Sequence, residues 1–324
     1  MHARANSTLY RLSLPALNLI SLLYKAVAFI HLEIKALRQK HFPDLFIISV
    51  DSLSFGGTGK TPLVIALGQA LEKRSLPFAI VSRGYRSAHE KNGAVVEPGQ
   101  TAEEVGDEPW LLKKYFPRQD IIIGRDRLRS IAVAAARKKR FVIMDDGLQT
   151  SQVRKDFSMM LINPDHPFYY LRHFKFMARH ENLVLRYRKP ERQGAAMPPG
   201  TYAFSGVDFL DQKHQRVDVG AEKIIAFSAL GDNDRFKDDM GRFQLAAFRG
   251  FPDHHAFRAS DLQALDELRK ERGAVWMVCT EKDFCKIDVT IRAAVPLIYC
   301  RNKIELPGDA IEQIIHHAAK KGFL

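Results

Sequence analysis

The chain has 324 residues, 46% of them hydrophobic, so it exceeds the usual single-domain size of ~100 to 200 residues and carries apolar material for more than one packed core. Lys and Arg outnumber Asp and Glu by 49 to 37, a charge of +12 that suits an anionic partner without choosing among nucleic acid, phospholipid head groups and nucleotide. The three cysteines, Cys279, Cys285 and Cys300, are odd in number and lack CxxC spacing, which argues against a disulfide framework or a zinc site and for a reducing compartment.

Residues 9–37 are rich in Leu, Ile, Ala and Phe but are interrupted by Arg11, Lys25, His31, Glu33 and Lys35. No small-residue cleavage site follows them, and the span between Arg11 and Lys25 is shorter than the ~20 apolar residues needed to cross a bilayer. A helix over 15–37, with Pro15 in its first turn, puts Leu17, Ile20, Leu23, Val27 and Ile30 along one stripe. Lys25 could then snorkel to head groups. Such a helix lies on a membrane or docks on the protein's own core, and periodicity alone leaves both open.

Residues 45–50 form a short apolar, β-branched run. A glycine cluster follows, then residues 62–74, where Leu63, Leu67, Ala70 and Leu71 recur at helical spacing. Strand-like runs at 78–82, 121–124 and 141–144, with a helix predicted over 128–138, continue an alternation that predicts a parallel sheet covered on both faces. Further apolar runs at 159–162, 183–185, 224–227 and 275–279 predict a second α/β unit, with a Pro- and Gly-containing loop at 189–200.

The strongest chemical signal is Ser54-Phe55-Gly56-Gly57-Thr58-Gly59-Lys60-Thr61, set between a predicted strand and a predicted helix as a phosphate-binding loop requires. Backbone N–H groups of the glycines would cradle phosphate, Lys60 would neutralise the β and γ phosphates of ATP, and the Thr61 hydroxyl would hold Mg²⁺. Ser54 stands where the general pattern has its first glycine. Next comes the strand at 141–144 running into Asp145 and Asp146, whose carboxylates would open onto the ligand crevice at the strand's carboxyl end. Asp145 is the natural partner for Mg²⁺, and two adjacent carboxylates repel unless a cation or substrate meets them.

Three further clusters stand out: Ser82-Arg83-Gly84-Tyr85-Arg86, Gly106-Asp107-Glu108-Pro109, and Phe251-Pro252-Asp253-His254-His255. Each has a plain structural reading, as solvated loop, helix cap and surface histidine respectively.

Taken in order, SFGGTGKTP, SRGYR, GDEP, MDDGLQ, FSALGDN, FPDHHAF and TEKD resemble the tetraacyldisaccharide 4'-kinase family of lipid A synthesis, from the N-terminal helix to about Lys286. The resemblance implies an ATP- and Mg²⁺-dependent kinase acting on the 4'-hydroxyl of a lipid A disaccharide precursor. It also implies peripheral association with the cytoplasmic face of the bacterial inner membrane. The expected fold is α/β: a P-loop kinase-like parallel-sheet unit over 1–152 with an N-terminal membrane-surface helix, and a smaller second α/β unit over 153–304. A two-stranded linker would join the units, and the last helix, within 305–324, would return to the first.

Carried over residue by residue, Gly56 to Thr61 match the ATP loop, Asp145 the metal-linked carboxylate, and Asp107 a carboxylate acting with His254. Arg83, Tyr85, Asp146 and Gln149 match positions near the acceptor. A sugar hydroxyl is a poor nucleophile, so a carboxylate must orient it and accept its proton, and a histidine holding that carboxylate would tune its direction and basicity. The chain departs from the family pattern at Val50-Asp51-Ser52, where an Asn is usual, at Thr150 in place of a His, and at Leu171-Arg172-His173-Phe174 in place of LREP.

The main rival is a P-loop GTPase or ATPase switch, but Thr280-Glu281-Lys282-Asp283 is not the guanine-reading NKxD. Against a nucleic-acid partner, there is no RNP-like aromatic pair, zinc-finger spacing or basic tail. A membrane scaffold without chemistry is the third reading. No obligate protein partner is expected.

Overall fold

A computed structural model describes residues 22, 26, 27, 29–31, 33–53, 58–163, 181–188, 197–231, 233–253 and 255–324. Expectations that fall on residues 1–21, on Leu23 and Lys25, on Ser54, Phe55, Gly56 and Gly57, on 171–174 and on His254 lie outside these residues.

Helix α1 is helical at residues 22, 26, 27, 29–31 and 33–36. Chain order then runs β1 (Phe46–Ser52), α2 (Lys60–Lys73), β2 (Phe78–Ser82), β3 (Ala94–Val95), α3 (Ala102–Val105) and α4 (Asp107–Tyr115). Next come β4 (Asp120–Ile123), α5 (Arg127–Ala136), β5 (Phe141–Asp145), β6 (Phe157–Ile162), β7 (Leu183–Tyr187) and β8 (Thr201–Leu210). The remainder is β9 (Arg216–Val217), β10 (Lys223–Ser228), α6 (Asn233–Met240), β11 (Gln244–Gly250), α7 (Ala259–Glu271) and β12 (Trp276–Thr280). Helices α8 (Glu281–Lys286) and α9 (Val289–Ala293), strand β13 (Leu297–Glu305) and helix α10 (Ala310–Lys320) complete the chain.

The strands form one mostly parallel sheet in the order β11-β10-β12-β13-β8-β7-β6-β1-β5-β2-β4-β3, with β9 on β8. Antiparallel pairing occurs at β3·β4, β8·β9 and β8·β13. The long β8 pairs with β7 through Thr201 and Tyr202 and with β13 from Ala203 to Leu210, so this antiparallel pair carries the sheet from one half to the other. Strands β6 and β7, which fall in the unit expected to begin at residue 153, pair in parallel onto β1 and extend the first half of the sheet. Their Phe157, Met159, Leu161 and Leu185 share one apolar cluster with β1, so burial of a common core, and not a sequence break at 152, sets where these strands go.

A parallel sheet must be covered on both faces, and β1, β2 and β5 are accordingly buried throughout. Leu63, Val64, Leu67 and Leu71 of α2 cover one face, and Ile131 and Ala134 of α5 cover the other. Helix α10 returns to the α2 side, where Ile314 and Ala318 join the same cluster. The His317 ring stands 5.6 Å from Phe157, Lys321 Nζ lies 2.7 Å from Asp156 Oδ1, and Arg74 pairs with Glu312. Among the described residues no helix is long and apolar enough to cross a membrane.

Because Ile314 is fully buried against β1 and α2, Ile314→Ala should lower stability by about 2–5 kcal/mol, measured by denaturant unfolding followed through the first half. A loss within about 0.5 kcal/mol would place α10 outside the core.

Candidate active site

In-register parallel pairing brings the carboxyl ends of β1, β5 and β2 side by side, with Val50 opposite Asp145 and Val81 opposite Met144. Polar residues that leave these three strands therefore emerge at one edge of the sheet, where ligands of open α/β folds bind.

From β1 the chain reaches Thr58, which is buried, with its carbonyl accepting a hydrogen bond from the Tyr202 hydroxyl at 2.8 Å. Gly59 follows in the left-handed region (φ 92°) and opens α2 with no side-chain cap on the helix amides. Any Cβ at Gly59 would stand 2.8 Å from Phe204 Cζ, so both backbone conformation and space require glycine here. The rings of Tyr187, Tyr202 and Phe204 pack together beside this turn, and the Arg235 guanidinium from α6 lies 4.6 Å from the Phe204 ring. Sequence reading missed Tyr202, Phe204 and Arg235, since aromatics in a strand look like ordinary core.

At the end of β5, Asp145 is 4% exposed. Its Oδ2 accepts from Ser82 Oγ at 3.4 Å, while Oδ1 is buried with no hydrogen-bond partner among the described residues. Burial pushes this carboxyl up to about 7; Glu108 and Asp146 add to the rise, and Lys60 and Arg127 oppose it. Arg127 is itself buried, with Nη1 donating to the Gly124 carbonyl at 2.5 Å and Nη2 to the Asp145 carbonyl at 3.3 Å. Its position at the start of a helix gave no hint of this contact.

Asp146 takes φ 59° and donates its N–H to the Val50 carbonyl at 3.0 Å, tying the turn after β5 to β1. Gln149, four residues beyond Asp145, is exposed. After β2, Arg83 pairs with Glu90 at 2.7 Å, and the guanidinium groups of Arg83 and Arg86 stand 5.5 Å and 5.3 Å from the exposed Tyr85 ring.

Asp107 is the first residue of α4 and faces the other half of the sheet. Lys286 Nζ lies 3.3 Å and Lys282 Nζ 3.8 Å from its Oδ2, both from α8, and Lys282 also lies 3.8 Å from Glu108 Oε1. The same interface joins the Tyr115 hydroxyl to Glu281 at 2.9 Å and Arg301 to Glu281 at 2.7 Å. Against burial, the charges of Glu108, Asp107 and Asp253 raise the Lys282 ammonium above its ordinary value. The structure thus gathers Thr58, Lys60, Asp145, Asp146 and Asp107 around one edge of the sheet. It adds Arg127 and Lys286, which the motifs did not single out, and Lys282 of the TEKD motif, to which no site role was given.

A family model described as tetraacyldisaccharide-1-P 4'-kinase matches residues 14–319. The chain belongs to that family. A tetraacyldisaccharide 4'-kinase of Methylobacterium nodulans is 33% identical over 269 residues, 78% of this chain and 76% of that protein. One of Desulfatibacillum aliphaticivorans is 29% identical over 307 residues, 84% and 83% of the two chains. The crystal structure titled as the "apo" form of LpxK from Aquifex aeolicus in complex with ATP has TM-score 0.71 at 23% identity, covering 95% of this chain and 98% of that one, and shares its fold.

Within the family pattern, the departures become local physics. Asp51 is fully buried, accepts from Ser49 Oγ at 2.7 Å and lies 3.9 Å from Lys155 Nζ; burial raises its carboxyl, against the pull of Lys155. Nearby Glu181 is pushed up to about 7, first by burial and then by the charge of Asp51. Thr150 donates its N–H to the Gly147 carbonyl at 2.8 Å, closing the turn that begins at Asp145.

An acid whose folded value is raised holds its proton more tightly when folded. Its ionisation therefore costs stability as pH climbs from its ordinary value of 3.8 towards about 7. Asp145→Asn removes that cost, so in nucleotide- and metal-free protein its melting temperature should exceed that of the wild type by more at pH 8 than at pH 5, in differential scanning calorimetry at both values. Equal differences at the two pH values would mean that Asp145 titrates normally.

Proposed function

We propose that this chain transfers the γ-phosphoryl group of ATP to the 4'-hydroxyl of a tetraacyldisaccharide 1-phosphate precursor of lipid A. The observation that carries this reading is the convergence of the α2 N-terminus and Lys60, the buried Asp145 and the Asp107 carboxylate at one sheet edge. Membership of the tetraacyldisaccharide-1-P 4'-kinase family supplies the acceptor.

The amides of residues 56–61 and the positive end of α2 bind the phosphates, with Lys60 on the β and γ groups. Asp145, whose buried Oδ1 lacks a partner among the described residues, and Thr61 are hard oxygen donors suited to Mg²⁺. When bound, the ion neutralises charge on the phosphates. Asp107 orients the sugar hydroxyl and takes its proton as the acceptor oxygen bonds to the γ-phosphorus and the bond to the departing ADP breaks. By the family resemblance His254 would act with Asp107, and Arg83, Tyr85, Asp146 and Gln149 would contact the acceptor.

In this reading the protein works at the cytoplasmic face of the bacterial inner membrane as two α/β units with the site between them. Support comes from α1, whose Val27, Ile30, Ile34 and Leu37 are spaced by three and four residues and are 67%, 57%, 60% and 86% exposed. An exposed apolar stripe on a basic protein suits an interfacial helix that meets the lipid where it lies.

With purified tetraacyldisaccharide 1-phosphate in detergent micelles and radiolabelled ATP, the wild type should form 4'-phosphorylated product. Lys60→Ala should lose about 100-fold or more together with nucleotide affinity. Asp107→Asn should lose about 10²–10⁴-fold in transfer while binding ATP normally. ATP binding without transfer in the wild type would point to a different acceptor or a scaffold, and equal loss of ATP binding in both variants would remove Asp107 from the role of base.

In flotation with vesicles of mixed neutral and anionic phospholipid, the Ile30→Glu/Ile34→Glu double variant should bind about tenfold or more weakly than the wild type. Unchanged flotation would assign the stripe to a protein contact.

A further inference from the structure

Two acidic groups, Asp107 and Glu108, flank the ammonium of Lys282 where the two halves of the sheet meet, and the charge of Asp253 also bears on it. Lys282 projects from α8, on the far side of the interface from α4, and reaches Asp107 Oδ2 and Glu108 Oε1 at 3.8 Å each. Its neighbour Lys286 has a different station. It bridges Asp107 Oδ2 and Asp283 Oδ1 at 3.3 Å each, and Asp283 is fully buried, accepting from the Ala229 N–H and from the Thr280 hydroxyl that caps α8. Lys286 thus ties Asp107 to the packing of α8, whereas both ion pairs of Lys282 run across the interface, to Asp107 and Glu108.

We propose that Lys282 is a positioning residue for the acceptor-side base: a cation, delivered by the second half of the molecule, that holds Asp107 as an oriented carboxylate among its acidic neighbours. This rests on the assignment of Asp107 as base. Asp107 and Glu108 are adjacent like charges, and without a cation between them Asp107 would be a poorly placed acceptor for the hydroxyl proton. Lys282 counters that repulsion at the moment when α8 abuts α4, so an effective base exists only with the halves together. Desolvation works against its charge, but Glu108, Asp107, Asp253 and Asp283 outweigh this and raise the ammonium above its ordinary value. Lys286 also pairs with Asp107, and the charge of Asp107 bears on the Cys285 thiol, both on α8.

The test compares Lys282→Met, Lys282→Arg and Asp107→Asn with the wild type in the transfer assay across pH 5.5 to 9. Lys282→Met should lose about 10- to 100-fold in kcat near neutral pH, with the KM for ATP unchanged and the acidic limb moved up by about one pH unit, so that the deficit narrows as pH rises. Lys282→Arg, which keeps the cation, should restore the wild-type limb. The carboxyl signal of Asp107, assigned by its loss in Asp107→Asn and followed by ¹³C NMR, should show the same upward displacement in Lys282→Met without any acceptor present.

A pH-independent loss in Lys282→Met, with an undisplaced Asp107 signal, would overturn the proposal and leave Lys282 a structural contact. An inactive Asp107→Asn beside a Lys282→Met of wild-type profile would overturn this inference alone. An active Asp107→Asn would overturn the base assignment and this inference with it.

Discussion

The parallel register between β1 and β5, which sets Val50 beside Asp145, is the constraint from which the site follows. Parallel strands bury both faces, so their polar residues are expelled to the strand ends, and at this end β1 runs on towards Thr58 and α2, β5 ends in Asp145 and Asp146, and β2 leads into Arg83. The arrangement is tight enough that the turn after β5 leaves no freedom. A Cβ on Gly147 would overlap Ser49 Oγ, and Asp146 accepts a left-handed conformation to send its N–H to Val50. That backbone strain, of order 1–3 kcal/mol, is maintained by the surrounding sheet and keeps the Asp145 and Asp146 side chains where a cation and an acceptor would find them.

Burying Asp145 has an energetic consequence for the whole edge. With Oδ1 unpartnered among the described residues and Glu108 and Asp146 bearing on it, its ionised form is disfavoured, and the charges of Lys60 and Arg127 offset this in part. A divalent cation and a polyphosphate entering together would discharge both excesses, supplying positive charge to the carboxylates and negative charge to Lys60, so binding of each favours the other.

Much of the first half was legible because its elements obey strong local rules. The strand at 78–82 coincides with β2, and the expected strands at 45–50, 121–124 and 141–144 differ from β1, β4 and β5 by one or two residues, because continuous β-branched runs bounded by loops have few alternatives. The candidate phosphate loop stood out in the sequence by its glycine content and its place between strand and helix. Strands β8 and β13 did not. Thr201–Leu210 mixes Gly, Ser and Asp with aromatics, and Leu297–Glu305 ends in a half-exposed Arg-Asn-Lys stretch, since an antiparallel connection between two halves is solvated along part of its length and carries no clean periodicity. Asp107 and the Asp253–His254 loop were visible only as motifs; nothing in local spacing says that α8 would carry two lysines to Asp107, because that contact spans well over a hundred residues and is made by tertiary packing alone.

That long-range contact also explains how two halves joined by one antiparallel strand pair can act as one catalyst. Helix α4 contributes the carboxylate and α8 the cations, while Tyr115, Glu281 and Arg301 form a second polar link across the same interface. Polar links of this kind contribute modestly to stability, since their desolvation offsets most of the Coulombic gain, but they are exacting in geometry. An apolar interface would hold the halves together whether or not substrate was present; a charged one is sensitive to every ion that enters the cleft.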